Sequence, residues 1–409
     1  MAMRLLVWGI NYAPEVVGIA PHNVALCEFA KRAGHDIEMV TTFAYYPEWK
    51  KRPEDRGRFF RTDVLNGVPV HRCWHYVPER ATALKRIIHE ATFALTSTLR
   101  VLWLRKPDVY VVVSPPLILG LTAWFISRLK GSPFVFHVKD LQPDAAVGLG
   151  MLRQSWFTRA LYWLEAFAYK KAARVCSLSD EVIDAFRSKG VPEEKLILYQ
   201  DSVVIPEESE IPGRGQFRKI HGIAPDDFLA VYSGNLGVKQ GLDILVEAAE
   251  LLRSQRNIRF LICGDGAARP ALEAGISQRR LENVSLLPLQ SDAAYAQLLV
   301  DADVCFITQQ ARAGNAFFPS KLLMIAAHFC PVVTVADEES ALARAVRVGG
   351  CGVNVPPGRP RELADVLGTL AQDRAKLGDW GQSGRRYVEK FERRRVQEKF
   401  LAQMQDLVS

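Results

Sequence analysis

The sequence has no Cys-x-x-Cys pair, no dense run of lysine and arginine, no low-complexity tract, and no Asp-x-Asp signature on a strand-end loop. Each absence excludes something. The seven cysteines, Cys27, Cys73, Cys176, Cys263, Cys305, Cys330 and Cys351, are scattered and odd in number, which fits buried thiols in a reducing compartment and neither a disulfide framework nor a zinc site. Without a basic run, zinc spacing or an aromatic RNA-binding strand, no nucleic acid partner is expected. Without the strand-end acidic pair, no bound divalent metal is expected either. The first fifteen residues, MAMRLLVWGINYAPE, carry one basic residue and an apolar run too short for a signal peptide, so they read as a first strand and point to the cytoplasm. Residues 109–127 lack any charge over nearly the length of a membrane span. Their β-branched start, however, runs into Ser114-Pro115-Pro116, so a buried strand, a turn and then a helix are expected.

What is present is ordinary globular chemistry on a scale of two domains. The chain has 409 residues, 49% hydrophobic and 24% charged, enough for two units of about 200 residues, each with its own core. The net charge of +7 is unevenly spread. Residues 1–200 hold 27 Lys and Arg against 19 Asp and Glu, and the remainder 25 against 26, so the basic excess lies in the first half. A basic half suggests an anionic partner, here a membrane surface or a lipid-linked substrate.

Apolar runs of four to six residues alternate with amphipathic stretches, the pattern of a doubly wound parallel sheet. Strands are expected at residues 5–10, 37–41, 109–113, 134–137 and 175–178, and again at 229–233, 260–263, 284–287, 304–308 and 331–335. Residues 204–227, with Pro206, Pro212, Gly213, Gly215 and Pro225, read as a linker. The expected division is 1–203, 204–384, and a charged terminal helix over 385–409 that must pack on something. In such sheets ligands bind beyond the carboxyl ends of the strands.

The loops that follow these strands carry the candidate chemistry. Residues 311–335 read ARAGNAFFPSKLLMIAAHFCPVVTV, a polar loop, a Pro319-Ser320-Lys321 helix start, a small-residue helix and a strand. A helix tip with free backbone N–H groups and a lysine suits an anionic group such as a diphosphate, with Leu322 in the same first turn. Ser233-Gly234-Asn235 and Lys239-Gln240 follow the strand at 229–233 and offer close backbone approach and polar donors. Gly264-Asp265-Gly266 follows the next strand and by itself signals a turn; Leu287 ends the strand after that. In the first half, Asn11 and the Gly18-Ile19 loop precede a helix from about His22, a phosphate cradle or simply a tight turn. His137 ends a strand with Asp140 and Asp144 nearby, a hydroxyl-binding cluster or a core histidine satisfied by backbone.

Taken together, these segments resemble the retaining nucleotide-sugar glycosyltransferases of the GT-B fold, in their family 4-like group. The likeness rests on the 311–335 segment with its terminal Pro331-Val332-Val333, on Gly234 and Gly264-Asp265-Gly266, and on the Gly loop followed by Gly34-His35 in the first half. Tyr45-Tyr46-Pro47-Glu48-Trp49 narrows it to the exopolysaccharide subgroup of colanic-acid or O-antigen type. The departures are as informative. The family's E-x7-E glutamates fall on Ala316 and Met324, and its Arg and Lys donor pair on Asn235 and Gln240. Lys321 is therefore the expected cation for the donor diphosphate.

The resemblance implies an α/β architecture of two Rossmann-like domains facing across a cleft. The first would bind an acceptor, the second a nucleotide-sugar, and the terminal helix would cross back to the first. It implies His137 and Lys321 as catalytic residues. Donor contacts would come from Gly18, Ile19, Ser233, Gly234, Asn235, Lys239, Gln240, the Gly264–Gly266 turn, Leu287 and residues 319–322, and acceptor contacts from Asn11, His22, Tyr46 and Asp140. The reaction implied is transfer of a sugar from a GDP- or UDP-linked donor, with no further cofactor, to a lipid-linked saccharide at the inner face of the cytoplasmic membrane. Aromatic and basic residues over 80–106 and 151–171, among them Trp103, Trp156, Trp163, Arg86 and Lys171, suit a headgroup layer, or are core faces with solvated charges. The lost glutamates leave two alternatives open, a non-catalytic sugar-nucleotide scaffold and a GT-B epimerase.

Overall fold

Along β1 (Arg4–Trp8) the side chains alternate in destination: Leu6 and Trp8 enter one hydrophobic layer, Leu5 and Val7 another. A strand buried on both faces in this way needs helices on both sides of its sheet. The computed structural model describes residues 2–16, 18–79, 82–144, 156–311 and 320–408. They form two units, residues 1–200 with 396–409, and residues 201–395.

The first unit contains an eight-stranded sheet. Its strands are β1, β2 (Asp36–Thr42), β3 (Phe60–Leu65), β4 (Val68–Cys73), β5 (Val109–Ser114), β6 (Phe134–Val138), β7 (Arg174–Ser177) and β8 (Leu196–Leu198). Their spatial order is β3-β4-β2-β1-β5-β6-β7-β8, parallel except for the antiparallel β3–β4 pair. The direction of winding reverses between β1 and β5, so loops at their carboxyl ends diverge there and leave room for a ligand. The stretch at 109–127 is β5 followed by a turn and the helix Leu119–Lys130. No helix among the described residues is long and apolar enough to cross a membrane.

The second unit has six parallel strands, β9 (Phe228–Ser233), β10 (Ile258–Cys263), β11 (Val284–Leu287), β12 (Val304–Thr308), β13 (Val332–Val335) and β14 (Gly352–Val355), in the order β11-β10-β9-β12-β13-β14. Its reversal lies between β9 and β12. These two strands pair only at Ala230 with Val304 and Val231 with Cys305, so their carboxyl ends part before Ser233 and Thr308.

Several expectations need correction. The β3–β4 hairpin is absent from the strands expected by pattern, although its turn, Asn66-Gly67, has both residues at positive φ (49° and 77°), the geometry that Asn-Gly favours. The edge strands β8 and β14 were also absent, being three and four residues long. The supposed linker is built into the second unit, where the helix Gln216–Ile220 buries Phe217 and Arg218. Arg218 donates to the Asp303 carboxylate at 2.8 Å and to the Asp301 carbonyl at 2.9 Å, the pairing a buried guanidinium requires. The terminal segment is two helices, Ala375–Val388 and Arg393–Gln405. Glu392 separates them, because its carboxylate accepts the N–H groups of Arg394 (2.9 Å) and Arg395 (2.8 Å) and so caps the new helix. Val396, Phe400, Leu401 and Met404 of the last helix enter the core of the first unit.

Candidate functional site

In the second unit the candidate residues converge at the carboxyl end of β9. Gly234 has φ 141° and Gly264 φ 150°, backbone that side-chain-bearing residues rarely adopt. A Cβ at Gly264 would collide with the Gly234 carbonyl, and one at Gly234 with the Lys321 ammonium. Two glycines are thus required for the loops to approach one another and for the lysine to lie over the backbone. Gly234 N–H donates to Cys263 (2.9 Å), Gly264 N–H to Leu287 (3.0 Å) and Leu236 N–H to Asp265 (2.8 Å), which stitches three strand ends together.

Lys321, in the first turn of the helix Ser320–Ala327, sends its ammonium inward. Nζ donates to the Tyr232 hydroxyl at 3.3 Å and lies 4.7 Å from the centre of that ring. Tyr232 in turn donates to the Asn235 carbonyl at 2.9 Å. No carboxylate among the described residues forms an ion pair with Lys321, and burial lowers its pKa to about 8. A half-buried cation without a counter-charge favours an anion beside it, since the ammonium then regains what it lost on leaving water. Thr308 Oγ1 and Gln240 Oε1, buried and without hydrogen-bond partners among the described residues, add polar capacity in this unit.

Other candidates fall elsewhere. Lys239 and Asn235 are exposed, and Ser233 and Gln240 are half-buried. Asp265 is exposed and spends its carboxylate on the Gly266 N–H at 2.8 Å. Leu322 is fully buried in the core, so only its backbone is left for a ligand, and Met324, where the resemblance expects the second glutamate, packs against core residues. Ala316, Pro319 and the side chain of Ser320 lie outside the described residues.

In the first unit His137 lies 1% exposed, with its ring centre 5.2 Å from Tyr199 and 6.4 Å from Phe400. Neither ring nitrogen has a hydrogen-bond partner among the described residues, and burial, helped by Lys139 and His22, holds the imidazole well below its usual range. It is neutral and enclosed. The expected carboxylate cluster does not form around it, because Asp144 is taken by Lys189 and by the Tyr162 hydroxyl, while Asp140 is exposed. Gly18 (φ 67°) has the Tyr46 ring beside it, Ile19 precedes the helix Ala20–Arg32, and His22 is half-buried on that helix.

A different cluster occupies the reversal point of the first sheet. Glu15 accepts hydrogen bonds from Asn11 Nδ2 (2.9 Å), Tyr45 N–H (2.9 Å) and Tyr46 N–H (2.8 Å), tying the loop after β1 to the loop after β2. The Tyr45 hydroxyl lies 3.2 Å from His89 Nε2 on the helix Ala83–Trp103. The next residue, Glu90, accepts from Gln142 Nε2 at 3.3 Å, and Gln142 Oε1 accepts the Leu117 N–H at 2.8 Å. Burial pushes the Glu90 carboxyl up to about 7, against the opposing pull of Gln142 and Arg86. Asn11 and Tyr46 were expected in a site; Glu15, Tyr45, His89, Glu90 and Gln142 were not. Only the position of Glu15 in the Gly loop signalled it.

Comparison with known proteins finds relatives over both units. Residues 17–199 match the glycosyl transferase 4-like domain and residues 213–387 match glycosyl transferases group 1. The chain is 31% identical over 332 residues to the putative colanic acid biosynthesis glycosyl transferase WcaI of Escherichia coli K12, covering 80% of this chain and 81% of that protein. It is 29% identical over 265 residues to the alpha-D-kanosaminyltransferase of Streptomyces kanamyceticus, covering 61% and 64%. Among solved structures, Anabaena Alr3699/HepE in complex with UDP superposes with a TM-score of 0.68 at 17% identity, covering 99% of this chain and 100% of that one. With two Rossmann-like domains, a glycine-built strand-end site in the second and both family domains matched along the chain, this protein belongs to the GT-B glycosyltransferases of the 4-like and group 1 families.

Proposed function

We propose that the protein is a retaining glycosyltransferase that moves a sugar from a GDP- or UDP-linked donor to a lipid-linked saccharide during assembly of a bacterial cell-surface polysaccharide. The reading rests first on Lys321, an inward cation without a carboxylate partner among the described residues, above a glycine that leaves room for it. The E. coli relative, described as a putative colanic acid transferase, and the HepE structure, solved with UDP, support the polysaccharide setting and the nucleotide.

In this mechanism the acceptor oxygen bonds to the anomeric carbon on the face from which the diphosphate departs. The carbon–oxygen bond to the diphosphate breaks, and the hydroxyl proton passes to a diphosphate oxygen. No protein nucleophile is needed. The protein's share is placement of the reactants and stabilisation of the leaving charge by Lys321 and neighbouring backbone N–H groups. Because Lys321 supplies positive charge, transfer is expected to continue in EDTA. The acceptor would be met from the first unit, at the inner face of the cytoplasmic membrane, with Asn11, His22, Tyr46 and Asp140 as candidate contacts.

Met324, packed where the family places a glutamate, favours a second reading, a scaffold that binds a sugar nucleotide without turnover. Each lost charged hydrogen bond costs about 1.5 to 3 kcal/mol, one to two decades of affinity. Incubation with UDP- and GDP-sugars separates the readings. The transferase shows a donor-dependent rise in melting temperature and releases nucleoside diphosphate with lipid-linked acceptor, the new bond keeping the donor's anomeric configuration. Binding without release marks the scaffold. Interconversion of donor sugars marks an epimerase.

A further inference from the structure

The helix Ala83–Trp103 has two faces with different tasks. Inward, His89 and Glu90 meet Tyr45 and Gln142. Outward, Leu84, Ile88, Leu95, Leu99 and Trp103 repeat at nearly helical spacing and stand 41–85% exposed. The helix also buries Phe93, Ala94 and Val101 in the core, so it is apolar inward and outward, where a soluble helix keeps its outer face polar. The helix Leu119–Lys130 packs beside it and the helix Trp156–Lys171 beside that. They extend the outer face with Phe125 (51% exposed), Leu129 (62%), Trp156 (75%) and Trp163 (62%). Scattered exposed apolar residues need no explanation, whereas large ones on three adjoining helices form a contact surface.

Charge decides what that surface fits. The three helices hold eight Lys and Arg and only two acidic residues, Glu90 and Glu165. Neither acid faces outward with the aromatics. Glu90 is half-buried against Gln142, and Glu165 is buried, bonded to the Tyr169 hydroxyl and Lys189. Lys171 reaches both Trp124 and Phe167, 5.9 Å from each ring centre, in the stem-along-apolar, head-outward posture of a lysine at an apolar boundary. Exposed tryptophans, aliphatic rows and an excess of cations match an anionic lipid surface, where rings enter the headgroup layer and ammonium and guanidinium groups meet phosphates.

We propose that the outer face of these three helices docks the protein on an anionic bilayer. The assignment names the surface behind the membrane setting of the proposed function, but it stands on exposure and charge alone. It also places the Tyr45–His89–Glu90 cluster on the opposite side of a lipid-contacting helix.

Flotation with vesicles of 30% phosphatidylglycerol in phosphatidylcholine tests it, against pure phosphatidylcholine vesicles, at 50 and 500 mM NaCl. The full-length protein is expected to float with the anionic vesicles at low salt and to lose most binding at high salt or without phosphatidylglycerol. The double variant Leu99→Glu with Trp103→Glu is expected to bind at least tenfold more weakly, and its UDP-dependent melting shift should be unchanged, which shows that it is folded. No flotation at low salt, or equal flotation of the variant, overturns the proposal. So does a concentration-dependent dimer that the double variant dissolves, since the face would then belong to a second copy. Intact flotation with no sugar transfer from any donor would leave the docking surface standing and remove the transferase reading.

Discussion

The two strand-end sites are built from opposite materials. In the second unit the site is mostly backbone: glycines at 234 and 264 bring loops into contact, and a single ammonium stands above them with a tyrosine hydroxyl as company. In the first unit the site is mostly side chain: Asn11, Glu15, Tyr45, His89, Glu90 and Gln142 form a linked set in which most polar atoms already have partners. A backbone site with a charge left unpaired among the described residues suits a ligand that brings its own negative charge, as a diphosphate does. A linked set of hydroxyl, imidazole, amide and carboxyl groups suits a neutral, polyhydroxylated ligand that trades hydrogen bonds. The division parallels the donor and acceptor roles proposed for the two units, and it predicts that damage to the two sites will look different.

The sharpest break should come at Glu15. Replacing it with alanine leaves Asn11 Nδ2 and the N–H groups of Tyr45 and Tyr46 without their acceptor, and stability should fall by about 4 kcal/mol. Urea unfolding measures this, and a loss under about 1 kcal/mol would show that the loops hold without it. Lys321→Ala should act on chemistry more than on folding, lowering the turnover of sugar transfer about a hundredfold. A decrease within about threefold would remove the lysine from its assigned role.

The same lysine gives the second unit a pH signature. Since burial sets its pKa at about 8, the cation is present below that pH and is lost above it. UDP affinity measured by calorimetry should therefore weaken between pH 7.5 and 9 by up to about tenfold, and Lys321→Met should flatten the profile. An unchanged slope in the variant would locate the titrating group elsewhere. Glu90 in the first unit should give the smallest effect, with the pH dependence of a raised carboxyl. The native state keeps its proton through the window from about 4.5 to about 7 while the unfolded chain does not, so stability falls as pH rises through that window. Glu90→Gln removes the loss, and should stabilise the protein at pH 8 relative to pH 4.5 by no more than about 1 kcal/mol after solvent screening. If that difference were absent, Glu90 would be an ordinary exposed carboxylate.

The second site was the more legible one, because its determinants are local. Glycines at strand ends, a Ser-Lys helix start and the strands themselves can be read from neighbouring residues. The first was hardly legible: Asn11, Tyr45, His89 and Gln142 are separated by tens of residues in the chain, and nothing in the sequence states that they meet. His137 shows the same limit in reverse. Its strand-end position suggested a carboxylate-flanked sugar contact, yet Lys189 draws Asp144 away and Phe400, from the far end of the chain, comes near the ring. The Asn66-Gly67 hairpin was readable from two residues, and the break before Arg393 was not, because only the capping geometry of Glu392 produces it.

The sequence by itself determined the family, the two αβ units and the glycine frame of the second site, since these follow from alternation, turn residues and spacing along the chain. Only the tertiary structure decided which charges are paired and which faces are covered. It left Lys321 without a carboxylate among the described residues, buried Glu90 far enough to raise its pKa, and exposed an apolar face of the helix Ala83–Trp103. Pairing and burial depend on what the fold brings alongside a residue, and a residue's chain neighbours do not specify that.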